Sequence, residues 1–153
     1  MTMTTPSDPR ALLQRLYDAL NRHDLDAFLA GFAEDVVDHG DDPPTIGRAA
    51  GRAHLAVFLS AFPDLHTSLD QVIVSADGQT LASRTTTTGT HTGDLMGIPP
   101  TNRQIRVPAV DLCRLSSDGL IAERWGGLDT YALLKQLGVL GAPAPQPAST
   151  AAA

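Results

Sequence analysis

A carboxylate in the middle of an apolar strand is costly unless it is paired or put to use, and Asp111 stands in such a run between Gln104 and Leu115. A group of that kind with a raised pKa can serve as a general acid or base. The turn signal Asp118-Gly119 folds this run onto Leu120 to Trp125, which places Asp111 opposite Gly126 and Cys113 opposite Arg124. Those residues share one face, while Leu112 and Trp125 take the other, so Asp111 and Arg124 can meet. A slip of one residue would exchange the faces. Asp111 reads either as a general acid/base or as half of a structural ion pair with Arg124 or Arg84.

Two histidines are further candidates. His39 follows Asp38 at the end of a short apolar run, and its imidazole is suited to proton transfer near neutral pH, although a loop histidine among acidic neighbours also reads as surface. His91 lies within Gly89-Thr90-His91-Thr92-Gly93, where it serves either a ligand or the turn itself. Other chemistries lack their residues. There is no glycine-rich phosphate loop, no Gly-x-Ser-x-Gly elbow and no His-x-x-x-His pair, and the single cysteine, Cys113, has no recognisable catalytic partner. No metal site and no nucleophilic catalysis are read from these residues.

Bulk properties bound the rest. At 153 residues, with 42% hydrophobic and 18% charged, the chain makes one domain with its own core. A net charge of −6 leaves no basic excess for phosphates, so no nucleic acid is expected and a soluble small molecule or a protein fits better as partner. Neither a secretory start nor a membrane span is legible, and a lone cysteine suits a reducing compartment, so a cytoplasmic protein is expected. Residues 1–8 read as a flexible start, 9–140 as the domain and 141–153 as a disordered Pro/Ala tail.

The elements that must position the candidates follow from apolar spacing. Leu12, Leu13, Leu16, Tyr17 and Leu20 recur at helical intervals after Asp8 and Pro9, predicting a helix over Asp8 to Asn21. Leu25, Phe28, Leu29 and Phe32, capped by Asp24, predict a shorter second helix ending before Asp35. Val36 to His39 reads as a short strand running into a loop at Gly40 to Pro44. A third helix spans Gly51 to Ala61 and stops at Pro63. From His66 to Gly126 the pattern is strand and turn, with hairpins at Asp77-Gly78 and Asp118-Gly119 and a threonine-rich strand from Leu81 to His91. Asp129 caps a last helix closed by Gly138. Helices followed by strands indicate an α+β domain.

Several phrases in this order carry a resemblance. Asp35-Val36-Val37-Asp38-His39, Phe62-Pro63-Asp64-Leu65, Gly89-Thr90-His91 and Gly97-Ile98-Pro99-Pro100-Thr101-Asn102-Arg103 come first. Arg114, Asp118-Gly119-Leu120-Ile121, Glu123, Trp125, Asp129 and Gln136-Leu137-Gly138 follow. Over Arg10 to Gly138 the chain resembles the SnoaL-like polyketide cyclase family of the nuclear-transport-factor-like superfamily. The resemblance implies a cone-shaped α+β barrel, with N-terminal helices packed on a curved antiparallel sheet and a short C-terminal helix. It also implies a homodimer or higher homo-oligomer formed through the convex sheet face, and cofactor-free closure of a polyketide ring by an intramolecular aldol reaction.

On this reading Asp111, His39 and Arg124 are the candidate catalytic residues, and Asp38, His91, Trp125, Arg84 and Phe32 the candidate substrate contacts. Trp125 lines either the pocket or the dimer face. Many family cyclases carry a histidine near the place of Asp111 and an aspartate directly after the tryptophan, where this chain has Gly126. That departure leaves three readings open: a cyclase or isomerase, an epoxide-opening hydrolase or cyclase, and a non-catalytic binding or accessory module.

Overall fold

Strand pairing over the last two thirds of the chain builds the frame of the computed structural model, which describes residues 8–141. Four helices, α1 (Pro9–Asn21), α2 (Leu25–Leu29), α3 (Arg48–Ala61) and α4 (Thr130–Leu137), accompany six strands. The strands are β1 (Phe32–Asp38), β2 (Thr45–Ile46), β3 (His66–Val74), β4 (Thr80–Thr90), β5 (Gln104–Leu115) and β6 (Ile121–Leu128). They form one sheet in the order β2-β1-β6-β5-β4-β3, antiparallel except that β1 runs parallel to β6. The α+β class and the cone fold expected from the sequence are what the structure has.

Alternation along β5 shows how the interior is divided. Its inward residues are Ile105, Val107, Ala109, Asp111, Cys113 and Leu115, every second position. Ile105 and Val107 join Phe62, Leu95, Leu133 and Leu137 in one apolar cluster, whereas Cys113 and Leu115 join Leu12, Leu16, Leu81 and Ile121 in another. Each fully buried Leu or Ile contributes roughly 1.5–3 kcal/mol. Ala109 and Asp111 fall in the interval between the two clusters, so the core has a gap where the acid sits.

Local chemistry accounts for the element ends. Asp8 Oδ1 accepts from Arg10 N at 3.0 Å and caps α1; Asp129 Oδ1 accepts from Ala132 N at 2.9 Å and caps α4, which ends at Gly138 with φ 77°. Both hairpin turns form, with Gly78 at φ 71° and Gly119 at φ 76°. The register is the expected one, Asp111 facing Gly126 and Cys113 facing Arg124, and a bulge at Ala122 of β6 falls between the Arg114 and Leu115 pairings.

Three boundaries differ from expectation. Phe32 opens β1 instead of closing α2, because the chain turns at Gly31, whose carbonyl accepts from Ile121 N at 2.9 Å and starts the parallel pairing. A Cβ there would lie 2.4 Å from Leu16 Cδ2, so a larger residue would have to displace that buried side chain. α3 begins a turn earlier than Gly51, at Arg48, and the segment after the first strand carries the short edge strand β2. The flexible start and the Pro/Ala tail, apart from Asp8 and Gly141, lie outside the described residues.

Candidate active site

Between α1, α2, α3 and the inner face of the sheet lies a cavity of about 1050 Å³. Its helical wall is apolar, with Leu13, Leu16 and Leu20 from α1, Phe28 and Leu29 from α2, and Leu55 and Phe58 from α3. The α1 periodicity that reads as core packing therefore serves two purposes, sealing one cluster and walling the cavity. On the sheet side the lining turns polar: Thr67, Ser83, Thr85, Thr87, Asp111 and Arg124 all reach it.

Asp111 is 5% exposed. Arg124 Nη2 lies 2.6 Å from its Oδ1, an ion pair in which no N–H is aligned for a hydrogen bond, while Arg124 Nη1 donates to Asp38 Oδ2 at 2.7 Å. One guanidinium thus bridges two carboxylates. The parallel pairing of Asp38 with Arg124, two residues separated by 86 positions, brings the third member in. Asp38 Oδ1 in turn accepts from Gly40 N at 2.8 Å.

Electrostatics divide the labour among these groups. Burial raises the pKa of Asp111, and the lowering effect of Arg124 does not cancel it. For Arg124, burial opposes the charge, yet Asp111 and Asp38 outweigh it and hold the guanidinium cationic. Cys113, two residues along β5, is pushed up to about 12 by burial and then by Asp111, so it is a thiol and no nucleophile at neutral pH.

Tyr17 is the residue that sequence reasoning missed. It lines the cavity from α1, and its phenol is desolvated and close enough to Asp111 and Arg124 to feel both charges. Burial first, then Asp111, raises its pKa, which keeps the phenol a hydrogen-bond donor. Ser83, the direct cross-strand partner of Asp111, lines the same cavity and has a small lowering effect on that phenol. The sequence signal available was a lone hydroxyl-bearing residue on the apolar stripe of α1.

Of the eight sequence candidates, Asp111, Arg124, Asp38 and Phe32 line the cavity. The other four lie off it. His39 and Trp125 project to the outer face, stacked with ring centroids 4.8 Å apart and planes at 1°. His39 Nε2 is 3.4 Å from Glu123 Oε2, again without an aligned hydrogen bond, and Arg114 donates to the other Glu123 oxygen at 2.5 Å. The reason is alternation: Asp38 and Arg124 point inward, so their neighbours His39 and Trp125 point outward. Arg84 also faces outward and pairs with Asp70 at 3.7 Å. His91 is fully buried in the second apolar cluster, its ring 5.2 Å from Phe62, with Nδ1 accepting from Thr101 N at 3.2 Å and so fixing the Arg103 loop. That is the turn-anchoring alternative read from the sequence.

A shallower polar depression of about 400 Å³, lined by Asp64, Thr90, Arg106 and Gln136, lies apart from this cavity. Its groups are committed to the fold: Asp64 accepts from Thr90 N and Oγ1, and Gln136 pairs with the backbone of Arg106. Among the described residues no group of three or more His, Cys, Asp or Glu side chains is arranged to hold a metal ion.

Comparison with known proteins places this geometry. No curated protein matches the chain. Solved structures do. AclR from Streptomyces galilaeus, a hydroxylase candidate, is 29% identical with a TM-score of 0.78 over 90% of this chain and 100% of its own. TsrD from Streptomyces laurentii is 26% identical with a TM-score of 0.78, covering 89% and 98%. IdmH from Streptomyces antibioticus, a polyketide cyclase candidate, is 29% identical with a TM-score of 0.72, covering 85% and 98%. The profile of the SnoaL-like polyketide cyclases matches residues 10–137, nearly the whole described domain, and the chain belongs to that family.

Proposed function

We propose that the protein is a cofactor-independent acid/base enzyme, a cyclase or isomerase closing a ring in a polyketide-like hydrophobic molecule. The observation that carries this reading is Asp111, a carboxylate with a raised pKa at 5% exposure, set in the wall of a large, mostly apolar cavity. A raised pKa brings a carboxylate toward the strength that efficient proton transfer from carbon needs near neutral pH. Asp111 takes the proton next to one carbonyl of the substrate, and the enolate carbon attacks a second carbonyl to form the new C–C bond. The resulting alkoxide then receives the proton back from Asp111. Tyr17 and Ser83 supply donors for the enolate oxygen. Arg124 keeps the carboxylate in place and limits how far its pKa rises.

Asp111→Asn is expected to lower turnover at least ~100-fold with the fold intact. Full activity in that variant would sink the assignment, and an equal loss in His39→Ala alone would move the chemistry to the outer face.

A second reading, epoxide opening, is favoured by one specific observation: Arg124 holds two carboxylates, Asp111 and Asp38. One carboxylate can take a proton from water as it attacks carbon, while the other, protonated, donates to the leaving epoxide oxygen. Turnover in isotopically labelled water separates the readings, because only hydrolysis must place solvent oxygen in the product. As partner we propose a second copy of this chain on the outer face of the sheet, where Val110 is 62% and Leu112 44% exposed beside Trp125.

A further inference from the structure

The cavity is walled by two chemistries, and the polar wall has a regular spacing. Ser83, Thr85 and Thr87 are successive inward residues of β4, and Thr67 faces Thr87 from β3. They are 5%, 2%, 7% and 5% exposed respectively, and all four line the cavity. Threonine suits a strand, but on a buried face valine has nearly the same shape without a hydroxyl to satisfy. The hydroxyls of Thr67 and Thr87 satisfy each other at 3.0 Å. On the opposite side of the same strand Thr86 donates to Asp70 at 2.6 Å. Ser83 and Thr85 form no aligned hydrogen bond among the described residues, and their oxygens are not sealed off, so they open into the cavity.

Register fixes where these open hydroxyls stand relative to the acid. Ser83 pairs directly with Asp111, and Thr85 pairs with Ala109, one repeat further along the inner face. Ala109 is small, which leaves the Thr85 hydroxyl unobstructed from β5. Successive inward positions on a strand are about 7 Å apart.

We propose that Thr85 is a specificity residue of this cavity: its hydroxyl holds a second oxygen of the substrate, about 7 Å along β4 from the oxygen handled beside Asp111 and Ser83. The substrate is then a hydrophobic molecule with oxygens at two places along one edge, that edge on β4 and its bare face against Phe28, Leu55 and Phe58. The inference rests on the proposed reading that the cavity takes a hydrophobic small molecule.

Calorimetric titration with two probes tests it. One is 2,7-dihydroxynaphthalene, whose oxygens share an edge at about that spacing; the other is 2-naphthol, which lacks the second oxygen. The wild type is expected to prefer the diol by about three- to tenfold, the worth of one neutral hydrogen bond. Thr85→Val removes that preference while binding 2-naphthol as before, and Thr85→Ser retains it. A preference that survives in Thr85→Val, or one absent from the wild type, overturns the role of Thr85 and leaves the cavity reading standing. If the wild type binds neither probe, the hydrophobic-ligand reading itself fails, and the inference with it. Equal thermal midpoints for the three proteins exclude misfolding as the cause of any loss.

Discussion

Asp111 is held 2.6 Å from a guanidinium and yet has a raised pKa, because burial outweighs the attraction of Arg124. A folded-state pKa above the unfolded value means that the native state binds the proton more tightly. Its contribution to stability is therefore full below about pH 4, the ordinary carboxylate value, and is lost as pH rises through the raised one. Asp111→Asn removes this titration, so its melting temperature relative to the wild type is expected to rise from about pH 4 upward and then level off. Thermal unfolding across that range checks this, and a wild type that gains on the variant with rising pH would contradict it. Turnover has the opposite sense, since a base must be ionised, and rises with pH through the same value. At this scale Asp111 and Arg124 were legible in the sequence, because a charge in an apolar strand and a hairpin turn are local signals. Tyr17 was not: helical periodicity records which face is apolar, and a cavity wall and a packed core look alike in that record.

Strand alternation governs the next scale. β6 presents Arg124 inward and Trp125 outward, and the following residue, Gly126, has φ 114°. A Cβ there would lie 2.1 Å from the Val110 carbonyl oxygen, so the glycine is a requirement of the backbone where β6 meets β5. This gives the departure from the family's pattern a physical reason: an aspartate at this place has no room. Gly40 is also confined, 2.8 Å from the Gly126 carbonyl oxygen by the same measure, so the chain just past Asp38 and β6 at Gly126 are fitted to each other. Gly126→Ala is expected to cost more than about 3 kcal/mol, combining an unfavourable φ with a backbone clash. Chemical denaturation measures it, and a loss below about 1 kcal/mol would show that the strand relaxes freely. Element types were readable from spacing, but the conversion of Phe32 from helix to strand was not. Its position fits both the α2 period and β1, and only the parallel partner β6, distant in sequence, decides between them.

For the molecule as a whole, the sheet has one face committed to the helices and cavity and another that leaves Val110, Leu112 and Trp125 exposed. Leu112 and Trp125 are direct cross-strand partners, which makes that strip continuous. If a second copy covers it, Leu112→Glu is expected to weaken self-association at least ~10-fold by sedimentation without altering the cavity. A wild type that sediments only as a monomer removes the basis for this. The overall architecture was legible because turns, caps and alternation are each written in a few adjacent residues. The charge array was not, because Asp38 and Arg124 share no local pattern and meet only through the β1–β6 pairing. That pairing has a consequence for biosynthesis. Asp38 leaves the ribosome long before its partner, so the ion-pair array cannot assemble during most of translation, and an isolated N-terminal fragment lacks Arg124. Until the final hairpin emerges, a nascent chain carries its acids without the cation that organises them, and ligand cannot chaperone the early stages of folding.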